Sequence, residues 1–362
     1  MNIFRRFHPI CLVGIALASC CLAGCKSAAP TCLSGSAAGA VIFDNSDMSD
    51  NTVWREIPTA DALFLHGQSF LGKALGTIYD SLPDGCFAGR ISAQERQKAL
   101  RHISYARSLH GLPPVEYDCR SDDRAQKTAM HMALNGEITH NPPPEWNCFD
   151  HEARRGAANS NLFAGRGTGH ELISTGVVIA RWLTDEDTEN CGHRRWLLDP
   201  HLRNISFGRY DVVRADPDGV NRTVCALDVQ TDSLQVVPPK GMEFVAYPYG
   251  DYPDILFRPA KRASFSVVAG ARREAGAAVD FGNAAIAIAG PKQRIIPVSD
   301  IRRDNDKSGL PNCLSWIMKD LEFGVAYEVQ ITNVAVRGET RSFSYSFRII
   351  QAVPVRFPGA EE

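Results

Sequence analysis

The spacing of the apolar residues changes once along this chain, and that change decides which folds are open to it. From Ser92 to about residue 210, apolar residues recur at helical spacing, with short strand-like stretches between. Beyond about residue 235 they fall in short β-branched or alternating runs separated by Gly, Pro, Asn and Asp. In the first region, Ser92 followed by Glu95 has the spacing of a capping box. Ala99, Ile103 and Ala106 then mark one helical face, and Gly111 with Pro113-Pro114 stops it. A second helix is predicted from Ser121, with Asp122 and Asp123 in its first turn, to Gly136. A third is predicted to open at Thr168, with Glu171 at capping-box spacing, and to carry Ile173, Val177 and Ala180 on one stripe and Val178 and Trp182 on another. Asn204–Arg209 suits a strand. Helices alternating with short strands give an α/β layered domain. In the second region, Ser264–Val268, Ala284–Ile288, Ile295–Val298, Tyr327–Val336 and Ser342–Ile350 read as strands of an all-β, immunoglobulin-like sandwich. The expected division is an α/β domain over 92–234, a linker over 235–240 containing Val236-Val237-Pro238-Pro239, and a β-sandwich over 241–356. A length of 362 residues favours such a multi-domain chain.

The N-terminus bears on location. Arg5 and Arg6 precede an apolar run from Ile10 to Gly24, short for a membrane span but suited to a secretory signal. The run ends in Leu22-Ala23-Gly24-Cys25, which resembles the lipobox of bacterial lipoproteins, whose cysteine is acylated and becomes the first mature residue. Leu17-Ala18-Ser19-Cys20 has the same form, but Cys25 leaves the longer apolar run. The plainer alternative is an ordinary signal peptide that contains cysteine. The expectation is a signal peptide over 1–24, a lipid on Cys25, a small-residue tether over 25–50 and an N-terminal extension over 51–91 packed on the next domain. That makes the chain extracytoplasmic and membrane-anchored, in the periplasm or at the outer membrane or cell surface.

Of 11 cysteines, seven remain beyond Cys25: Cys32, Cys86, Cys119, Cys148, Cys191, Cys225 and Cys313. An oxidising compartment preserves disulfides. No pair has C-x-x-C spacing, which leaves zinc-ribbon and thioredoxin readings without support. Seven is odd, so at least one thiol stays free or pairs elsewhere. Charge is nearly balanced, with 39 Lys and Arg against 41 Asp and Glu, and without a block of one sign. Nucleic acid is therefore not an expected partner.

Several ordered segments resemble the CAP superfamily of cysteine-rich secretory, antigen 5 and pathogenesis-related proteins. They are Ile103-Ser104-Tyr105-Ala106-Arg107 with Gly111-Leu112-Pro113-Pro114-Val115, then Ala125-Gln126 to Ala133, then Gly136-Glu137-Ile138-Thr139-His140. Trp182, Gly192-His193-Arg194-Arg195 with Leu197 and Pro200, and Ile205-Ser206-Phe207-Gly208 complete the set. The resemblance covers about a third of the chain. It implies an α-β-α sandwich in which His140 and His193 share a surface cleft.

The residues themselves are compatible with that implication. His140 stands beside Asn141 and three prolines, and His193 follows Gly192 at the start of an apolar helical turn. Neutral imidazole ligates divalent metals, so two could hold Zn²⁺ or another divalent ion, with carboxylate or water completing the shell. Each could equally be a hydrogen-bonded structural histidine. Many relatives place two glutamates beside these histidines. In the matching positions this chain has Ser160, within Asn159-Ser160-Asn161-Leu162, and Asp185, three residues after Trp182. Asp185-Glu186-Asp187 could instead be a solvated acidic turn. Cys148 and Cys191 flank the implied cleft and are expected to pair.

No G-x-S-x-G elbow surrounds Ser160, and His170-Glu171 lacks the second histidine of H-E-x-x-H. The expected function is binding of a small ligand, a metal ion or an envelope component in the two-histidine cleft. Two alternatives stay open, a metal-assisted hydrolase of peptides or wall material and a structural adhesion lipoprotein. The C-terminal runs resemble β-sandwich modules found beside some bacterial CAP domains. They suggest a spacer or partner-binding role, with Trp316 in the core.

Overall fold

The structure is a computed structural model that describes residues 75–351, apart from 168–171, 187, 214–220, 231–235, 258–259 and 307. The expected signal peptide, Cys25 and the tether lie outside the described residues. Among the described residues, five helices follow residue 92 in chain order: α1 (Ala93–Ser108), α2 (Asp122–Asn135), α3 (His151–Asn159), α4 (Thr175–Thr184) and α5 (Gly192–Leu197). They surround a four-stranded sheet of order β3-β5-β6-β4, comprising β3 (Glu116–Tyr117), β4 (Ser160–Arg166), β5 (Asn204–Val212) and β6 (Arg222–Asp228).

The sheet is apolar on both faces, as a middle layer must be. Along β6 the side chains alternate between two cores. Val224 and Ala226 join Ala129, Met130, Met132 and Ala157 of α2 and α3, whereas Cys225 and Leu227 join Ile103, Ile179 and Trp182 of α1 and α4. Period-two alternation between two helical layers is the α-β-α sandwich. Gly208 of β5 is where α2 comes closest. A Cβ there would lie 2.1 Å from the carbonyl oxygen of Ala125.

The helix ends follow local chemistry. Ser92 caps α1, its hydroxyl accepting from the Glu95 amide at 3.1 Å. The reciprocal half of the box is absent, because the Glu95 carboxylate turns inward to Thr175, Lys98 and Arg209. Gly136 ends α2 at φ +67°, a left-handed conformation that glycine adopts without strain. The third predicted helix needs correction. Thr168 and Glu171 lie outside the described residues, and α4 opens at Thr175 with Ser174 accepting from the Val177 amide. Ile173, expected on its stripe, precedes the helix and donates its amide to Thr223 instead.

The chain before α1 packs on this domain through a short hairpin, β1 (Tyr79–Ser81) with β2 (Arg90–Ile91). The Tyr79 hydroxyl donates to Asp211 at 2.7 Å, and Asp211 in turn takes two bonds from buried Arg209. Cys86 is disulfide-bonded to Cys148, which corrects the expected Cys148–Cys191 pair. Cys191 is a buried free thiol, as are Cys225 and Cys313, and Cys119 is disulfide-bonded.

The last third is a β-sandwich. One sheet has the order β12-β13-β9-β7, from β7 (Phe244–Tyr247), β9 (Arg262–Val267), β12 (Val298–Asp304) and β13 (Cys313–Met318). The other has the order β10-β14-β15-β8, from β8 (Gly250–Pro253), β10 (Val279–Asp280), β14 (Ala326–Val336) and β15 (Glu339–Ile350), with β11 (Ala285–Ala289) also pairing β14. Phe244 and Phe265 of the first sheet meet Phe343 and Tyr345 of the second at ring separations of 5.3–6.3 Å, and Trp316 is fully buried. Alternating burial along β15 shows one face in the core and one in water. The expected strand at Ile295–Val298 is displaced. Ile295 is exposed, and the strand there starts at Val298.

The two halves meet in a buried polar seam. Arg194 and Arg195 of α5 reach into the sandwich. Arg194 donates to Ser264 and to the Arg262 carbonyl, and Arg195 to the Leu310 carbonyl and Asp304. His110 bridges the Ala246 carbonyl and the Tyr252 hydroxyl, and Arg273 pairs with buried Asp199. Gly309 approaches α5 so closely that a Cβ would sit 2.3 Å from the Arg195 backbone. One hydrophobic cluster runs through both halves, from Ile78 to Ile349.

Candidate functional site

The loop that carries His140 begins where Gly136 stops α2. His140 is exposed, and its Nδ1 donates to the Ala157 carbonyl in the last turn of α3 at 2.8 Å. That carbonyl can only accept, so the Nδ1 carries a proton and the neutral ring presents a lone pair at Nε2. Asp150 fixes α3 itself, its side chain accepting from the Glu152 and Ala153 amides. Asn141, the next residue, accepts from Arg154 at 2.8 Å. The anchoring helix thus also holds the loop.

His193 sits in the first turn of α5, partly exposed. Asp185 ends α4 in a left-handed conformation, φ +47°, and its buried carboxylate turns towards the start of α5. One oxygen accepts from His193 Nδ1 at 2.8 Å and the other from the Arg194 amide at 3.1 Å. Both oxygens are therefore engaged within the protein. Asp185 orients the imidazole, as a carboxylate does behind a metal-binding or general-base histidine, and leaves Nε2 free. The side chain of Asn161, at the start of β4, donates to the His193 carbonyl at 3.0 Å.

The strand–helix junction Ala157–Asn161 accordingly anchors both histidines, one at each end. Ser160 lies between the anchors. It is buried, and its Oγ has no hydrogen-bond partner. No hydrogen bond among the described residues joins His140 to the Asp185–His193 pair. No group of three or more His, Cys, Asp or Glu among the described residues could hold a metal ion. Two imidazoles alone would face a bound ion, and ligand or water would complete its shell.

Residues 100–225 match the family model of the cysteine-rich secretory protein family, CAP. The middle of this chain is a CAP domain. The match supports an extracellular CAP-family protein. No curated protein matches the chain. Among the described residues no helix is long and apolar enough to cross a membrane.

Within the CAP domain, two positioning residues were not assigned roles from sequence. Asn161 was visible only as a neighbour of Ser160, and Arg194 only as a neighbour of His193. A signal existed in both cases, because each sits in a segment carrying the resemblance. Behind His193, the Cys191 thiol contacts Cys313 of β13. The hydrogen bond from Cys313 lowers the Cys191 thiol to about 6, against the opposing effect of burial and with further help from Arg194.

Proposed function

We propose that this protein is an extracytoplasmic, lipid-anchored CAP-domain protein that binds a small ligand, a divalent ion such as Zn²⁺ or an envelope component between His140 and His193. One observation carries the reading. Both imidazoles are held through Nδ1 by partners that only accept, so both offer Nε2 as the binding atom. Ser160 and Asp185 complete the cleft in supporting roles, one beneath the junction and one behind His193. The anchor rests on Cys25 and the preceding apolar run, and the sandwich braces the α5 turn. The partners are then the membrane, through the lipid, and the bound molecule.

Calorimetric titration with Zn²⁺ tests the site. Binding by the wild type should be lost in both His140→Ala and His193→Ala. Binding that survives in both variants removes the basis of the shared site. Labelling with radioactive palmitate, lost in Cys25→Ser, tests the anchor.

The Asp185–His193 bond also favours a second reading, because a base oriented by a carboxylate is the start of a hydrolytic site. Against it, Ser160 occupies a position where relatives carry a glutamate, so one carboxylate is missing. Cleavage of a peptide library that stops with chelator and with either histidine variant would favour the hydrolase.

A further inference from the structure

We propose that Cys191 and Cys313 form a disulfide that staples the CAP domain to the β-sandwich directly behind His193. Both thiols are buried, and they lie in hydrogen-bond contact with each other. They come from different halves of the molecule, Cys191 from the residue before α5 and Cys313 from the first residue of β13. Neither approach is a loose encounter. On one side, Asn190 bonds to Asp306 at 2.8 Å, and Arg195 pairs with Asp304 and Asp306. On the other, Arg194 bonds to Ser264, which pairs in register with Ser315 of β13. Cys313 itself pairs with Asp304, the residue that receives Arg195. These bonds flank the sulfurs on both sides and hold Cys191 and Cys313 at the same point of the seam.

The cysteine count agrees. Cys86 is bonded to Cys148 and Cys119 is also bonded. Joining Cys191 to Cys313 leaves Cys225 as the single free thiol among the described residues, sealed inside the sheet core. Seven cysteines follow Cys25, so at least one of them is left over from any pairing among the seven.

The oxidant is a small-molecule or protein disulfide. One cysteine, as thiolate, attacks a sulfur of the oxidant and forms a mixed disulfide. The displaced oxidant thiolate takes up the proton that the cysteine lost. The second cysteine, deprotonated, then attacks the protein sulfur of the mixed disulfide and expels the other half of the oxidant as a thiol. Two protein thiols lose two electrons and two protons, and the oxidant gains them. The proposal requires neither the lipid nor the cleft ligand.

The test uses the purified full chain, reduced in denaturant and refolded in a buffer of reduced and oxidised glutathione until its mass is constant, so that burial of the thiols in the folded chain does not block their reaction. It is then alkylated in denaturant without reductant, digested and mapped. The expected result is a linked peptide pair containing Cys191 and Cys313, lighter by two hydrogens than the separate peptides, with Cys225 alkylated. Recovery of Cys191 and Cys313 as alkylated or glutathione-bonded peptides overturns the proposal. In the same oxidising buffer, Cys313→Ser should melt several degrees below wild type although Cys86–Cys148 is intact in both. Equal melting temperatures would also count against the staple.

Discussion

Arg194→Met is the sharpest probe of the seam, because methionine keeps the apolar stem and removes only the guanidinium. In the folded chain that group donates to the carbonyls of Leu183, Thr184 and Arg262 and to the Ser264 hydroxyl, and stacks 3.8 Å from the centre of the Tyr247 ring. Four buried acceptors left without a donor cost about 1 kcal/mol each. Loss of the desolvated cation–π contact adds about 1 kcal/mol. Relief from burying a charge offsets about 2 kcal/mol of this. The net loss is about 3 kcal/mol, or about 4–5 °C in melting temperature at about 2.1 cal/mol/K of unfolding entropy per residue. Differential scanning calorimetry measures it directly. Wild type should melt in one main transition, because its core is continuous across the seam, and the variant should melt lower and more broadly. A shift under about 2 °C would refute the view that Arg194 is an interface clamp rather than a tolerated buried cation.

Acid should loosen the same seam. Burial, the largest effect, pushes His110 from its ordinary 6.5 to about 3 and holds it neutral between Ala246 and Tyr252, and burial likewise lowers His102 to about 3. Unfolded, each takes a proton near 6.5. Stability is therefore complete above that pH and falls as pH drops towards 3, by about 1.4 kcal/mol per pH unit for each histidine. Urea titrations at pH 7, 5.5 and 4 should show this slope, and His110→Gln should remove about 1.4 kcal/mol per pH unit of it; an unchanged slope assigns the acid sensitivity elsewhere. Gly208→Ala should cost about 2 kcal/mol or more in urea unfolding, because the new methyl meets the Ala125 backbone at 2.1 Å rather than a movable side chain. A cost near zero would mean α2 stands further from β5 than described. Cys86→Ser with Cys148→Ser opens a bond of sequence separation 62 and should cost about 4 kcal/mol. Zn²⁺ affinity should fall with it if the bond helps to hold the His140 loop.

Sequence exposed those parts of the fold where local chemistry decides the structure. Ser92 and Gly136 fix helix ends through their own hydroxyl and backbone freedom, so their positions could be read directly. The start of α4 could not, because Thr168-Glu171 and Ser174-Thr175 both offer cap chemistry and the choice lies in how the helix packs on the sheet. The strand expected at Ile295–Val298 falls a few residues early because β12 itself, Val298 to Asp304, is mostly charged and exposed, an edge strand without an apolar stripe. Cysteine connectivity is a three-dimensional fact. Cys86 reaches Cys148 only because the extension before α1 folds back over the sheet. At the site, the residue types of His140, His193 and Asp185 were visible, but the role of Asp185 as an orienter with both oxygens engaged was not. Arg194 and Arg195 stood in sequence only as members of the segment that carries His193, with no role of their own, and it is the sandwich that makes them interior.

That last point changes what the sandwich is. A spacer would leave the CAP surface beneath it polar and solvated, and removing it would expose nothing costly. Here a single helical turn faces two ways. His193 presents Nε2 at the site while its neighbours Arg194 and Arg195 are buried in the sandwich. Asp185 ties these directions together, because it accepts from both the His193 ring and the Arg194 amide. Any displacement of the sandwich that moves Arg194 must move the acceptor that aims His193. The sandwich is therefore part of the framework that sets the imidazole, and the cleft and the seam should respond together to a perturbation of either.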